Sequence, residues 1–295
     1  MRLKQITDRS YYIDFPSLVG VYRLNDSDCL LIDSGASKAF GKRAMKILAE
    51  RGLKVHSIIN THFHGDHSGG NQAIQKASNC DIYASKLEKV FLENPILSPY
   101  GIYSAYPIAP LKNKFLMCEP SLVTEVIEGD TITIMDEEFK IINLAGHTLG
   151  QIGVITPDGV LFVGDAIISD KNIEKFPFLY IANLAYHLET LEKLRETNYP
   201  AVVLSHGGLI KDWRGAISLN EEQIKVIINI ILGFVKEAKS REEICDEVIK
   251  KLDLPINTSQ YFLISASVSA YLTYLCEENL ISSIVAEHKV SFVSK

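Results

Sequence analysis

The sequence predicts a mixed α/β body followed by a smaller helical module. Three observations carry that expectation. Short β-rich runs recur through the first two-thirds of the chain, a few helical segments separate them, and from about Ser218 the pattern turns almost wholly helical. Strands mixed with helices predict sheets covered by helices on their outer faces. At 295 residues the chain is long enough to bury about three-quarters of its unfolded surface. A typical domain length of ~150 residues would divide it in two.

Taken in order, strands are expected at 11–14, 20–24 and 29–33, before a helix over 36–51. A strand at 56–60 leads into a helix over 70–77. Further strands follow at 131–135, 140–144, 152–155 and 160–163. The last two flank Thr156-Pro157-Asp158-Gly159, whose Pro and Asp-Gly suit a hairpin turn. A helix over 183–196 and a strand at 202–204 close the body. Beyond it, Ile224, Ile227, Ile228, Ile231 and Val235 share one helical face. Ile244, Val248 and Leu252 form a second stripe, and Ile264, Val268, Tyr271, Leu272 and Leu275 a third. The runs 283–286 and 290–293 around Glu287-His288-Lys289 predict a terminal hairpin. Helices closed by a hairpin resemble a winged-helix module.

Composition removes several classes of function. Hydrophobic residues are 47% and charged residues 22%, so the chain is neither disordered, collagen-like nor a coiled-coil rod. Lys and Arg total 30 against 36 Asp and Glu, a net charge of −6, which argues against a nucleic-acid partner. The tail, whose shape suggests nucleic acid, has 11 acidic and 8 basic residues over 218–295. It lacks the positive stripe that phosphate binding requires. A packing, lid or homodimer role suits it better. No apolar run reaches the ~18–20 residues of a membrane span, and the first residues show no secretory h-region. Five widely spaced cysteines without a Cys-x-x-Cys fit reduced thiols in the cytoplasm.

The most informative run is Thr61-His62-Phe63-His64-Gly65-Asp66-His67-Ser68-Gly69-Gly70. Imidazole and carboxylate are the ligands that zinc and iron prefer. In an extended segment, positions 62 and 64 point the same way and can grip one metal. Asp66 and His67, at the turn into the next helix, can reach a second. Downstream, His147, Asp165 and His206 each follow an apolar strand. Any one of these alone is as well read as a hydrogen-bonded turn residue; together with the cluster they make seven ligands.

These residues resemble the metallo-β-lactamase superfamily. Its H-x-H-x-D-H signature appears as His62-x-His64-x-Asp66-His67, and its later motifs match Gly146-His147-Thr148, Gly164-Asp165 and His206. The resemblance covers roughly residues 10 to 210. It implies a four-layer αββα sandwich with the site along one edge of the two sheets. It also assigns His62, His64 and His147 to one metal and Asp66, His67 and His206 to a second, with Asp165 bridging. Asp33 matches the family's early aspartate, which supports a ligand histidine. The implied domains are a catalytic body over 1–215, with a rim insertion at about 87–120, and a winged-helix-like domain over 216–295.

Exported class B β-lactamases often use a Cys ligand, and flavodiiron proteins carry Glu where His64 stands. The seven-ligand set is closest to the glyoxalase II-like hydrolases, although Ser205-His206-Gly207-Gly208 replaces the more usual Gly-His-Gly. The cofactors implied are two Zn²⁺, with iron or manganese as alternatives. Two such metals lower the pKa of a bridging water, and Asp66 is placed to orient the resulting hydroxide. The expected activity is hydrolysis of a thioester, ester or lactone of a small molecule. An iron persulfide dioxygenase and an endoribonuclease are the competing readings. The aromatics of the insertion, Phe91, Tyr100, Tyr103, Tyr106 and Phe115, and the run Phe176-Pro177-Phe178-Leu179-Tyr180, serve either as a substrate wall or as simple packing. Lys171 and Lys175 are expected to be solvated.

Overall fold

The computed structural model describes residues 2–286 and 288–295. Glu287, in the expected terminal turn, lies outside them. The chain divides into two compact units.

The first unit, residues 1–144, 149–165 and 197–213, holds two sheets. The first sheet runs in chain order: β1 (Leu3–Gln5), β2 (Ser10–Ile13), β3 (Val19–Arg23), β4 (Asp28–Ile32), β5 (Lys54–Ile59), β6 (Asp81–Ser85) and β7 (Glu125–Ile127). Strands β1 to β4 form an antiparallel meander, whereas β4 to β7 run parallel. Parallel neighbours need crossover connections. Here helices supply them: α1 (Lys38–Ala49), α2 (Gly65–Ser68), α3 (Asn71–Ser78), α4 (Lys86–Glu93) and α5 (Leu97–Tyr103). The second sheet contains β8 (Thr131–Ile134), β9 (Glu137–Asn143), β10 (Ile152–Ile155), β11 (Val160–Phe162), β12 (Ala201–Leu204) and β13 (Gly208–Ile210), in reverse chain order from β13 to β8.

Alternation along the central strands builds two cores. In β4, Cys29 and Leu31 face the outer core with Ala44, Leu48, Ile74 and Leu92 of the covering helices. Leu30 and Ile32 face the inner core, where they meet Phe139, Val154, Phe162 and Val203 of the second sheet. Side chains at i and i+2 share a face, so a strand buried on both sides must be apolar throughout. That is why Cys29-Leu30-Leu31-Ile32 is legible as a strand. The rings of Tyr22 and Phe139 close the sandwich edge to face, with centroids 5.1 Å apart.

The second unit comprises residues 145–148, 166–196 and 214–295. It contains α6 (Asp170–Lys175), α7 (Leu184–Glu196), α8 (Trp213–Phe234, its first residue counted with the first unit), α9 (Arg241–Lys251) and α10 (Thr258–Glu277). A small sheet has the order β14-β16-β15, from β14 (Lys239–Ser240), β15 (Ile281–Ala286) and β16 (Lys289–Ser294). Helices α9 and α10 each start in a capping box, Ser240 with Glu243 and Asn257 with Gln260, which satisfies amide groups that no helical carbonyl reaches. The order from α8 onward is helix–strand–helix–helix–hairpin.

A linear division after residue 215 does not foresee that 145–148 and 166–196 group with the tail. The physical reason is packing: the Ile181 amide donates to Ser267 Oγ on α10 at 2.9 Å, and the Asn220 side chain clasps both Ile168 backbone groups. No helix among the described residues is long and apolar enough to cross a membrane.

Candidate metal centre

Four chain segments of the first unit deliver the side chains. Asn60, Thr61 and His62 follow the end of β5, and α2 carries Asp66 and His67 one turn later. Asp165 follows β11, and His206 follows β12. His64 caps α2 in an extended conformation, φ −55° and ψ 144°, which lets the chain turn sharply between its two pairs of donors. Gly65 is required at this turn. A Cβ there would lie 2.3 Å from the Lys114 carbonyl oxygen of the insertion, closer than any side chain tolerates.

The structure brings His62, His64, Asp66, His67, Asp165 and His206 together. Ring centroids of His62 and His64 are 4.7 Å apart, and those of His62 and His67 4.1 Å. His67 Nε2 lies 3.4 Å from Asp165 Oδ1 and 3.5 Å from Asp66 Oδ2. His206 Nε2 lies 3.1 Å from Asp66 Oδ2 and 3.5 Å from Asp165 Oδ2. The ligand atoms of His62, His67 and Asp165 all fall within 4.8 Å of one another, as do those of Asp66, His67 and His206. His62 and His67 are fully buried, while Asp66 and His206 are partly open to solvent.

A second ring of hydrogen bonds aims these imidazoles. His67 Nδ1 donates to Asp33 Oδ2 at 2.8 Å. Thr61 Oγ1 donates to the same oxygen at 2.8 Å and stands 3.0 Å from His62 Nδ1, whose proton it can accept. His206 Nδ1 donates to the Pro16 carbonyl at 3.0 Å. In each case the outer nitrogen holds a proton, so a metal that displaced any inward proton would meet Nε2. Asp33 sits at φ 63°, a left-handed conformation that Asp tolerates better than most residues.

The charge balance calls for a cation. Asp165 is the main influence on His206, raising its pKa to about 10. Burial opposes a proton on His67, yet Asp165, Asp66 and Asp33 outweigh it and hold its pKa well above the ordinary imidazole value. Burial likewise works against the charges of Asp66 and Asp165, but His67 and His206 keep both ionised far below the usual carboxylate range. Converging carboxylates thus recruit protons onto nitrogens that also face inward. Divalent ions held by mixed imidazole and carboxylate donors satisfy the same field, so this donor set fits them.

His147 belongs to the second unit, where its Nδ1 donates to the Tyr180 carbonyl at 2.8 Å. Its loop is fixed from several sides. The Gly146 carbonyl accepts from the amides of Ala182 and Asn183, and Thr190 Oγ1 donates to the Ala145 carbonyl. A Cβ on Gly146, at φ 136°, would lie 2.4 Å from the His187 Cα. Glycine before His147 is therefore imposed by packing. Burial drives the pKa of His187 down to about 3.

Several supports have no marker in the sequence. Glu88, almost fully buried, accepts from the Phe63 amide at 2.7 Å and the Gly150 amide at 3.0 Å, one per carboxylate oxygen. Gln151 Oε1 accepts from the Asp165 amide at 3.2 Å. Asn60 and Asn71 exchange hydrogen bonds beneath the motif. Glu88 lies in the expected insertion, where aromatic residues draw the eye. Of those, Phe91 stacks on Phe63 at 4.3 Å, whereas Tyr100, Tyr106 and Phe115 are exposed. Lys171 and Lys175 are exposed, as expected.

Two packed sheets with histidine and aspartate gathered beyond their strand ends define a metallo-β-lactamase fold. The family description "Metallo-beta-lactamase superfamily" matches residues 12–206, and the chain belongs to that superfamily. It is 31% identical over 144 residues to a hydroxyacylglutathione hydrolase of Vibrio cholerae, a match covering 49% of this chain and 44% of the relative. A hydroxyacylglutathione hydrolase of Maricaulis maris is 29% identical over 121 residues, covering 41% of this chain and 37% of the relative. The matches thus span less than half the length of these curated relatives. Among solved structures, a beta-lactamase domain protein from Burkholderia ambifaria superposes with a TM-score of 0.76 at 15% identity, covering 99% of this chain and 93% of that one. A metallo-beta-lactamase family protein from Thermus thermophilus gives 0.73 at 18% identity, covering 99% and 100%. These likenesses extend through the helical tail and concern the fold.

Proposed function

We propose that the chain is a metal-dependent hydrolase that cleaves an ester-like bond, a thioester, ester or lactone, of a small molecule. The convergence of Asp66, His67, Asp165 and His206 with His62 carries this reading. The partial match to hydroxyacylglutathione hydrolases favours a thioester. Two zinc ions are the proposed cofactors: His62, His64 and His147 would hold one, Asp66, His67 and His206 the other, and Asp165 both. The assignment of His147 rests on its Gly-His-Thr motif and on the Nδ1 hydrogen bond to the Tyr180 carbonyl that orients its ring. Bound metals would polarise the scissile carbonyl and make a water acidic enough to attack near neutral pH.

The chain's own groups would do the rest. Asp66, held as a carboxylate, accepts the hydrogen bond of the attacking water and relays its proton. The water oxygen joins the acyl carbon, the carbon–sulfur or carbon–oxygen bond breaks, and the leaving atom takes that proton. Asp33, Thr61 and the carbonyls of Pro16 and Tyr180 keep the imidazoles in place. With five free cysteines, a reducing cytoplasm suits the chain.

The test is metal quantification on the purified protein combined with thioester, ester and lactone substrates. About two zinc ions per chain, with turnover abolished by a chelator and restored by Zn²⁺, is the expected result. One iron per chain with oxygen uptake, or turnover that survives full metal removal, would overturn it.

A further inference from the structure

We propose that a cavity in the second unit seats an alkyl arm of the substrate, so that the chain prefers acyl groups of medium length over short or charged ones. This rests on the hydrolase reading and narrows its substrate class. The cavity has a volume of about 240 Å³ and is lined by Phe176, Phe178, Tyr180, Gln260, Leu263 and Ile264. No lining residue carries a charge. The one amide, Gln260, has its Oε1 engaged by the Asn257 amide in the capping box of α10. Beside the Gln260 amide nitrogen and the Tyr180 hydroxyl, the surface offered to a ligand is mainly aromatic rings, aliphatic branches and a methylene stem.

Phe178 and Ile264 are buried at the base. The walls come from two elements, the run before α7 and the first turns of α10, which the Ile181–Ser267 bond holds together. At roughly 30 Å³ per heavy atom, the share of a water in the liquid, the space takes about eight carbon atoms.

Position separates this cavity from an incidental gap. Tyr180, one of its walls, accepts the Nδ1 proton of His147 through its carbonyl, and the two rings lie 5.5 Å apart, edge to face. A molecule whose tail fills the cavity is thus separated by one residue, Tyr180, from an imidazole proposed to hold metal. The apolar walls cannot pair the carboxylates of a peptide-like thiol, so the acyl side of the thioester is the part they select. Burying alkyl groups there follows the ordinary hydrophobic gain, which amounts to about fourfold per methylene.

The experiment uses the metal-loaded full chain and thioesters of one thiol carrying acyl groups of two to twelve carbons. kcat/KM is expected to climb about fourfold per added methylene and level off near eight carbons. L263W, which fills the cavity, should collapse the ratio of octanoyl to acetyl turnover by about a hundredfold or more, the gain of at least four of the six methylenes that separate them. L263A, which enlarges the cavity, should move the plateau to longer chains. A flat series, or variants that leave the ratio and plateau unchanged while hydrolysis persists, would overturn the cavity and spare the hydrolase. If nothing ester-like is hydrolysed, the hydrolase reading fails. The cavity is then judged by calorimetric binding of octanoate: binding to the native chain that L263W abolishes supports it, and no binding rejects it.

Discussion

Asp33 shows how much of the site depends on groups that never face the ligand. Its Oδ2 receives both the Thr61 hydroxyl and His67 Nδ1, and its Oδ1 receives the Thr61 amide at 2.8 Å. In D33N one of these oxygens becomes an amide nitrogen pointing at a donor. Zinc affinity is expected to fall about 10- to 100-fold, as for other outer supports of metal-binding histidines. Competition with a chromogenic chelator measures it, and an unchanged affinity would remove Asp33 from the site. At the same scale, burial pushes the Cys29 thiol up to about 12 and the Cys245 thiol up to about 11. Thiolate is the reactive form. Brief alkylation at pH 8 followed by peptide mapping should therefore leave both unmodified; labelling either one in the folded chain would contradict its burial. The candidate ligands were legible because His and Asp advertise their chemistry by type and spacing. The carbonyls of Pro16 and Tyr180 were not, since every residue owns a carbonyl and only folding decides which one meets an imidazole.

Among the elements, α4 and the β10–β11 hairpin have roles beyond their own backbone. From α4, Glu88 ties the His62–His64 segment to the loop before β10 by two backbone amides. E88A leaves both part-buried amides without this acceptor, at about 1 kcal/mol each. A clear loss of stability in urea, with weaker zinc binding, is expected; a variant as stable as the native chain would show the contacts to be dispensable. The hairpin turn supplies Asp158, which accepts from Thr156, from Ser10 at 2.7 Å and from Thr7, and so pins β2 to the second sheet.

Burial opposes the Asp158 charge, but those three hydroxyls outweigh it and lower its pKa. A depressed folded-state pKa stabilises above the unfolded value near 3.9 and is lost as pH falls through the folded one. D158N should thus cost about 1–2 kcal/mol at neutral pH, and the gap should close progressively below about pH 4. A gap independent of pH would contradict this account. The sequence announces the turn through Thr-Pro-Asp-Gly, whereas the bond to Ser10 is hidden by 148 residues of separation. Strands β1, β7 and β13, three residues each, escaped for a related reason. Such short edges exist only because a neighbour pairs with them.

For the molecule as a whole, the apolar runs were enough to read sheets covered by helices and a helical tail, and the resemblance carried by the His and Asp motifs made the sheets two. Neither could show that 145–148 and 166–196 group with that tail, because compactness depends on contacts between segments far apart in sequence. One prediction belongs to this scale. The inward nitrogens and carboxylates follow strands of both sheets, so zinc should bind the folded chain far better than the unfolded one. At free zinc 100 to 1,000 times Kd this linkage is worth about 3–4 kcal/mol, or roughly 5–15 °C in melting temperature for a chain of this size. Calorimetry before and after chelation measures it, and coincident melting curves would deny the linkage.

The outward side of the same arrangement bears on the life of the protein. His62 and His67 trail the first sheet, whereas Asp165 and His206 trail the second, so an ion shared among them would act as a rivet between two plates. A chain synthesised while zinc is scarce would keep its plates but lack the rivet, and its strand ends would part more often. Each parting offers a protease extended backbone, and degradation follows the population of such open forms. Metal supply would then set how many copies persist as well as how fast each one works.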